Sequence, residues 1–296
     1  MAQAQLTYVP AGHGRTLEVL IEGRPDGFPL VYHSGTPSAA VTSPTMSAAC
    51  VENGLRLITW SRPGYAGSTE QPGRSVADVT VDTQAVLAAL GHDRFVTLGW
   101  SGGGPHALAC AALLPESCAA ATSLAGVAPW GADGLDWLAG MGEENEEEFA
   151  AAVAGPEPLA AYLHEQARGL VEVSGQQVAE AFGGLVSGVD RAALTGDYAE
   201  EEAASLRAAV SCGVAGWRDD DLAFVRPWGF ELAEIAVPVA VWQGGQDRMV
   251  PKAHGAWLAA HLPDARAHLY ADEGHLSLVS RLGAIFADLV ELAGGI

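Results

Sequence analysis

Apolar positions along the chain fall into two alternating patterns. Short runs with β-type composition occupy residues 17–21, 30–32, 55–59, 95–98, 119–125, 237–242 and 267–270. Longer stretches with helical spacing separate them, at 39–52, 76–90, 107–114, 253–262 and 276–292. In the stretch 76–90, Val79, Val86, Leu87 and Leu90 recur near the 3.6-residue period and Gly91 supplies a stop. Strands that alternate with helices predict an α/β fold, a mostly parallel sheet covered by helices on both faces. The alternation fails between residues 130 and 236. No strand pattern occurs there, and the stretches 143–154, 156–173, 176–186 and 199–210 read as short helices bounded by Gly, Pro, Asp or Ser. The expected organisation is therefore a core of residues 1–129 and 237–296, with a helical segment, 130–236, inserted between two halves of one sheet.

Charge sets that middle segment apart. The 296-residue chain carries a formal net charge of −21. Residues 130–236 hold 21 acidic and 5 basic side chains, so most of the imbalance lies in the insertion. Such a surface repels phosphate backbones and anionic lipid headgroups, which argues against nucleic-acid and membrane partners. The pattern lacks a basic, then apolar amino-terminal leader and any apolar stretch of membrane-spanning length, so a cytoplasmic protein is expected. Cys50, Cys110, Cys118 and Cys212 show no C-x-x-C spacing and lie in or beside apolar runs. Buried thiols, with no metal site, are expected.

The chemistry gathers first at Gly99-Trp100-Ser101-Gly102-Gly103. This G-x-S-x-G arrangement follows an apolar strand and precedes a helical run, the setting in which a sharp strand-to-helix turn exposes its serine. Small neighbours are needed because side chains would clash in so tight a reversal. The Gly102 N–H then lies at a helix start, without an intrahelical partner and available to an oxyanion. Two plainer readings compete. Gly102-x-Gly104-x-x-Ala107 fits a dinucleotide fingerprint, but residues 122–128 offer no carboxylate where that motif places one. A simple glycine-rich turn is the other.

A serine nucleophile needs a base, and the base needs an orienting carboxylate. His275, in Asp272-Glu273-Gly274-His275, follows the last strand pattern; Asp247, in Gly244-Gly245-Gln246-Asp247, follows the one before it. Both therefore fall at carboxyl ends of strands, where such sheets collect their ligands. The alternatives are a solvated loop histidine and a turn-capping aspartate. Chain order separates them, because Ser101, Asp247, His275 is the order of the α/β-hydrolase elbow. A second oxyanion donor is expected in the loop His33-Ser34-Gly35-Thr36-Pro37, with the Thr36 N–H as the candidate. His33 itself reads as a loop-fixing residue.

With these pieces in place, the chain resembles the α/β-hydrolase superfamily, and within it the capped members of the esterase and prolyl-aminopeptidase-like kind. The resemblance rests on residues 33–37, on Arg62-Pro63-Gly64-Tyr65-Ala66-Gly67-Ser68, on the elbow, on residues 244–247 and on Gly274-His275. It implies a cofactor-free hydrolase with a helical lid over its pocket, acting on a small-molecule ester, lactone or amide. Serine at the elbow argues against the relatives that open epoxides or remove halides, which carry aspartate there. Lid carboxylates hold the substrate amino terminus in aminopeptidase-like relatives, which brings Glu143, Glu144 and Glu146, Glu147 and Glu148 forward. Consecutive glutamates are otherwise a solvated helix face. Trp100, Trp130, Trp137 and His33 are candidates for the pocket, with core packing as the alternative. The same residues could serve acyl transfer, C–C bond hydrolysis or a lyase step. A small-molecule-binding protein on this scaffold, and a structural protein that docks a basic partner on its acidic lid, are the non-enzymatic alternatives. The sequence leaves oligomeric state open.

Overall fold

The computed structural model describes residues 4–296. In chain order it contains β1 (Gln5–Ala11), β2 (Arg15–Gly23), β3 (Phe28–His33), α1 (Pro44–Glu52), β4 (Leu55–Trp60), α2 (Val79–Leu90), β5 (Phe95–Trp100), α3 (Gly104–Leu113) and β6 (Cys118–Leu124). Six helices follow without a strand: α4 (Glu143–Ala154), α5 (Pro156–Leu170), α6 (Val178–Ala181), α7 (Gly188–Ala193), α8 (Gly196–Ala209) and α9 (Ala215–Phe224). The alternation then resumes with β7 (Val239–Gly244), α10 (Lys252–His261), β8 (Ala265–Tyr270) and α11 (Leu282–Leu292). The eight strands form one sheet in the order β1-β2-β4-β3-β5-β6-β7-β8. β1 and β2 enter antiparallel, and every pair from β4–β3 onward is parallel.

Side-chain alternation along the strands divides the core in two. On one face Leu30, Leu57, Val96, Leu98 and Ala240 pack with Met46 and Cys50 of α1 and with Ile285, Phe286 and Leu289 of α11. On the other, Val31, Ile58, Phe95, Ala121 and Val241 meet Val86 and Leu87 of α2 and Leu108 of α3. Phe286 is fully buried; removing such a side chain from water stabilises by about 1.5–3 kcal/mol. β5 is buried along its whole length, as a central parallel strand must be, whereas β8 at the edge alternates with solvent.

Several boundaries move for local reasons. The first helix begins at Pro44 rather than residue 39, since a proline bars helical backbone in the residue before it and Ser43 caps the helix by accepting from the Met46 N–H. The helix expected at 276–292 opens with a 3-10 turn, Ser277–Arg281, before α11. β1 escaped the pattern because it is a mostly exposed edge strand with only Val9 buried. α7 and α9 were also unforeseen. Their polar sequences conceal a buried Asp190 and a buried run of Asp219, Asp220 and Asp221. Cys50, Cys110 and Cys118 are buried free thiols, but Cys212 is exposed, because it lies past the carboxyl end of α8. No helix among the described residues is long and apolar enough to cross a membrane. The expectation about the amino-terminal leader falls partly on residues 1–3, outside the described ones.

Candidate active site

Strand register brings the candidate residues to one rim. His33 pairs with Gly99, Trp100 with Leu124, Leu124 with Trp242, and Gly244 with Tyr270, so the carboxyl ends of β3, β5, β6, β7 and β8 lie side by side. The loops that leave those ends carry Thr36, Ser101, Asp247 and His275.

Ser101 opens the single 3-10 turn that joins β5 to α3, and its φ is +57°. Left-handed backbone is strained for a residue with a side chain, and the surroundings hold it there. A Cβ on Gly99 would run into the Gly103 carbonyl, and one on Gly103 into the His33 carbonyl. The two glycines thus let β3, β5 and the start of α3 close together, which thrusts Ser101 toward the cavity above.

Asp247 is fully engaged. One of its oxygens accepts the backbone N–H groups of Met249 and Val250, at 2.9 and 2.8 Å. The other accepts from Gln243 Nε2 at 3.0 Å and from His275 Nδ1 at 2.7 Å. Four donors lock the carboxylate, and it in turn fixes the imidazole with Nδ1 as donor. Gln243, buried at the end of β7, was not singled out by sequence; a lone amide in an otherwise apolar strand was the available signal. Burial works against the imidazolium of His275, but the charges of Asp247, Asp190 and Glu202 outweigh it and raise its pKa above the ordinary histidine value. Ser101 and His275 line the same cavity lobe. The His275 ring bonds to Asp247 alone among the described residues, so the hydroxyl and Nε2 share the cavity without a hydrogen bond between them. Such pairs commonly tighten only when substrate is bound.

Thr36 and Gly102 are neighbours, for a Cβ on Gly102 would press on the Thr36 side chain. Both line the second lobe of the cavity. The loop that carries Thr36 is held by Arg62, which donates to the carbonyls of Ser34 at 2.6 Å and Gly35 at 2.7 Å. Arg62 is itself paired with Asp220 of α9 at 2.6 Å. Asp220 also accepts from Arg74 at 2.7 Å, from the Tyr65 hydroxyl at 3.0 Å and from the Thr36 hydroxyl at 2.9 Å. Burial pushes the Asp220 carboxyl up, but the two guanidinium groups prevail and hold it well below the usual carboxylate range. Sequence showed Arg62 and Tyr65 within a recognisable stretch. It could not show their partner, 155 or more positions away.

The cavity has two lobes that meet at Thr36, Pro37, Ser101, Phe182, Leu206 and Met249. The first adds Trp100, Tyr32, Tyr198, Glu201, Glu202 and His275. Burial and the charge of Glu201 push the Glu202 carboxyl up to about 7, against the opposing pull of Tyr198 and His275. The second adds Glu148, Phe149, Tyr162, Trp217, Asp221 and Phe224. There Glu148 accepts from Trp217 Nε1 at 2.7 Å, and Asp221 Oδ2 is buried with no hydrogen-bond partner among the described residues. Burial, and then the charge of Glu148, pushes the Asp221 carboxyl well up.

Three of the four pocket candidates lie elsewhere. His33 is buried beneath the elbow against Trp60, His106 and Cys110, and burial holds its pKa well below the ordinary value. Trp137 packs edge-on to Phe149 and His254 and donates to the Ala128 carbonyl, with Trp130 beside it. Neither tryptophan lines either lobe: Trp137 packs on both Phe149 of α4 and His254 of α10, and Trp130 packs on Trp137 in the same seam. Trp100 does line the first. Of the glutamate run, Glu144 and Glu148 face the second lobe, while Glu143, Glu146 and Glu147 do not line it. Among the described residues no cluster of His, Cys, Asp and Glu is placed to hold a metal ion.

Fold and rim define an α/β hydrolase. The family described as alpha/beta hydrolase fold matches residues 28–282, and the chain belongs to it. Among solved structures it is similar to a hydrolase from Pseudomonas aeruginosa PA01, with a TM-score of 0.70 at 19% identity over 98% of each chain. An alpha/beta hydrolase fold protein from Nakamurella multipartita is 25% identical, with a TM-score of 0.65 over 98% of this chain and 100% of that one. The enol-lactonase from Burkholderia xenovorans LB400 shares 20% identity and a TM-score of 0.66 over 97% of this chain and 100% of its own. A search of curated proteins finds no match. Family membership supports a hydrolase activity.

Proposed function

We propose that the protein is a cofactor-independent serine hydrolase that cleaves a small carboxylic ester or lactone through an acyl-enzyme, with residues 130–236 as its cap. The Ser101 Oγ attacks the carbonyl carbon while its proton passes to His275 Nε2. The oxyanion that forms is held by the backbone N–H groups of Thr36 and Gly102. Collapse breaks the bond to the leaving alcohol, which takes the proton back from Nε2. Water then repeats the sequence and frees the acid. Asp247 keeps the imidazole in the tautomer that can accept at Nε2 and supports the imidazolium. A lost oxyanion donor typically costs about 10²–10³ in turnover, so two of them supply several kcal/mol.

The observation that carries this reading is the 2.7 Å Asp247–His275 pair, which shares a cavity with a serine held in left-handed backbone. A fluorophosphonate probe should label Ser101, and Ser101→Ala should lose hydrolysis of p-nitrophenyl esters while its thermal melt is unchanged. Labelling at another serine, or turnover retained by the variant, would overturn it.

A second reading, an amide substrate with a cationic group, is favoured by the Glu148 and Asp221 carboxyls at the wall of the second lobe, which a bound cation would ionise. An aminoacyl p-nitroanilide hydrolysed faster than its acetylated counterpart, with the preference lost in Glu148→Gln, would select it over the ester reading.

A further inference from the structure

The helix α7 sits on the insertion, yet its Asp190 ends among the catalytic loops. Asp190 is fully buried. Its Oδ1 accepts the backbone N–H groups of Leu276 and Ser277, at 2.7 and 3.0 Å, the two residues directly after His275. Its Oδ2 faces the other way, accepting from the Ser187 hydroxyl at 2.7 Å and so closing the amino-terminal cap of its own helix. Gly274, on the near side of the histidine, is a glycine for the same reason: a Cβ there would collide with the Asp190 carboxyl. Beside it, Ser187 and Gly188 share a groove wall with Gly245 and Asp247. One carboxylate therefore clamps the backbone around His275 to the helical insertion.

We propose that Asp190 is a positioning residue for His275, holding the backbone that carries the imidazole and adding a fixed negative charge behind it, so that the cap belongs to the proton-transfer apparatus rather than covering it. This rests on the serine-hydrolase reading above. The charged groups that face His275 come from three elements: Asp247 from the loop after β7, Asp190 from α7 and Glu202 from α8. Asp190 in turn faces His275, with Tyr198 nearby on α8. Burial pulls the Asp190 carboxyl up, but the bonds from Ser187 and Ser277 and the charge of His275 overcome it and keep it ionised. Asp247 orients the ring from its Nδ1 edge; Asp190 fixes where the ring is attached. The two tasks are separate, because a hydrogen bond to Nδ1 does not prevent the whole loop from sliding.

The test uses the full chain and p-nitrophenyl acetate, a small activated ester. Asp190→Asn keeps an oxygen for the two amides but removes the charge. It should lower kcat about tenfold or more with little change in KM, since a neutral amide oxygen holds the two backbone N–H groups less strongly than a carboxylate does, and a catalytic group displaced by about 1 Å can cost 10²-fold. The acid limb of its kcat/KM profile should move down by about 0.5 in pH, because a nearby opposite charge favours the imidazolium. Ser187→Ala removes the helix cap and leaves both the charge and the loop bonds, so it should lower Tm but leave the acid limb in place. A wild-type kcat and limb in Asp190→Asn, or the same shift in Ser187→Ala, would overturn the proposal. Hydrogen exchange on the unaltered protein decides the case if Asp190→Asn does not fold. Peptides covering 188–193 and 274–281 should open as one unit, and protection of the second while the first exchanges freely would overturn it. Activity retained by both Ser101→Ala and His275→Ala would instead sink the serine-hydrolase reading, with the exchange result unaffected.

Discussion

The elbow at Ser101 and the loop at Thr36, the proposed oxyanion loop, lie side by side, but different forces hold them. Close backbone packing sets the elbow: Gly99 and Gly103 let β3, β5 and α3 approach until no Cβ fits, and the strained φ of Ser101 follows. Buried charge holds the loop, with Arg62 bonded to the Ser34 and Gly35 carbonyls and neutralised by Asp220 of α9. Close packing tolerates pH and salt but not one added methyl group. A buried ion network tolerates small shape changes but not the loss of one charge, since its partners are then left desolvated and unpaired. One site can therefore fail in two distinguishable ways.

The largest effect should come from the proposed nucleophile. Ser101→Ala is expected to cost on the order of 10⁶ in kcat, as in other triads in which the serine is removed, with denaturation by urea unchanged or slightly improved as left-handed strain stays and a polar group goes. Loss of stability instead would mean that the hydroxyl holds the elbow together. Next comes Asp220→Ala, which leaves Arg62 and Arg74 buried without their shared carboxylate. A destabilisation of about 3–5 kcal/mol is expected, measured as a lower urea midpoint at constant slope. A change under about 1 kcal/mol would show that packing, not charge, holds this loop as well. Gly103→Ala should destabilise by a similar amount, about 3 kcal/mol or more, through steric conflict with the His33 carbonyl. Its effect should not vary with pH, unlike that of Asp220→Ala.

The pH dependence follows from signs. The Asp220 carboxyl is depressed in the folded protein, so its contribution is present above the unfolded value of about 3.9 and is lost as pH falls through the lower folded value. The stability gap between wild type and Asp220→Ala should thus narrow below about pH 4. His275 is raised, so its contribution is fully present below about 6.5 and is lost as pH rises through the folded value. With the neutral ring as the proposed base, kcat/KM should rise with pH through an apparent pKa above about 6.5. A limb below that value would mean that burial outweighs the three carboxylates. The smallest effect is expected at Trp130→Phe. Lying in the seam beside Trp137, it should change KM for p-nitrophenyl esters less than about twofold. A larger change would return it to the pocket.

Much of the rim was legible because it obeys local rules. A G-x-S-x-G after an apolar strand, Asp247 after β7 and His275 after β8 each sit one loop beyond a recognisable strand, and parallel strands in register must align their ends. The pocket was legible only in part. Trp130, Trp137 and His33 were drawn toward it by residue type, but an aromatic ring serves a core and a cavity equally, and composition cannot tell which face it meets. α9 was missed for the opposite reason. Its three consecutive aspartates suggest solvent, and their burial depends on Arg62, Arg74 and a neighbouring glutamate brought in from other elements.

The amino-acid order alone determined all but the first strand of the sheet, the place of the helical insertion and the strand ends at which the chemistry collects, since these follow from periodicity and from glycine, proline and capping residues within a few positions. Only the folded chain decided which carboxylates became structural. Asp190 and Asp220 reach loops 86 and 184 positions away, and a charge acquires a role in a protein interior only through the partner that offsets its lost water, wherever in the chain that partner happens to be.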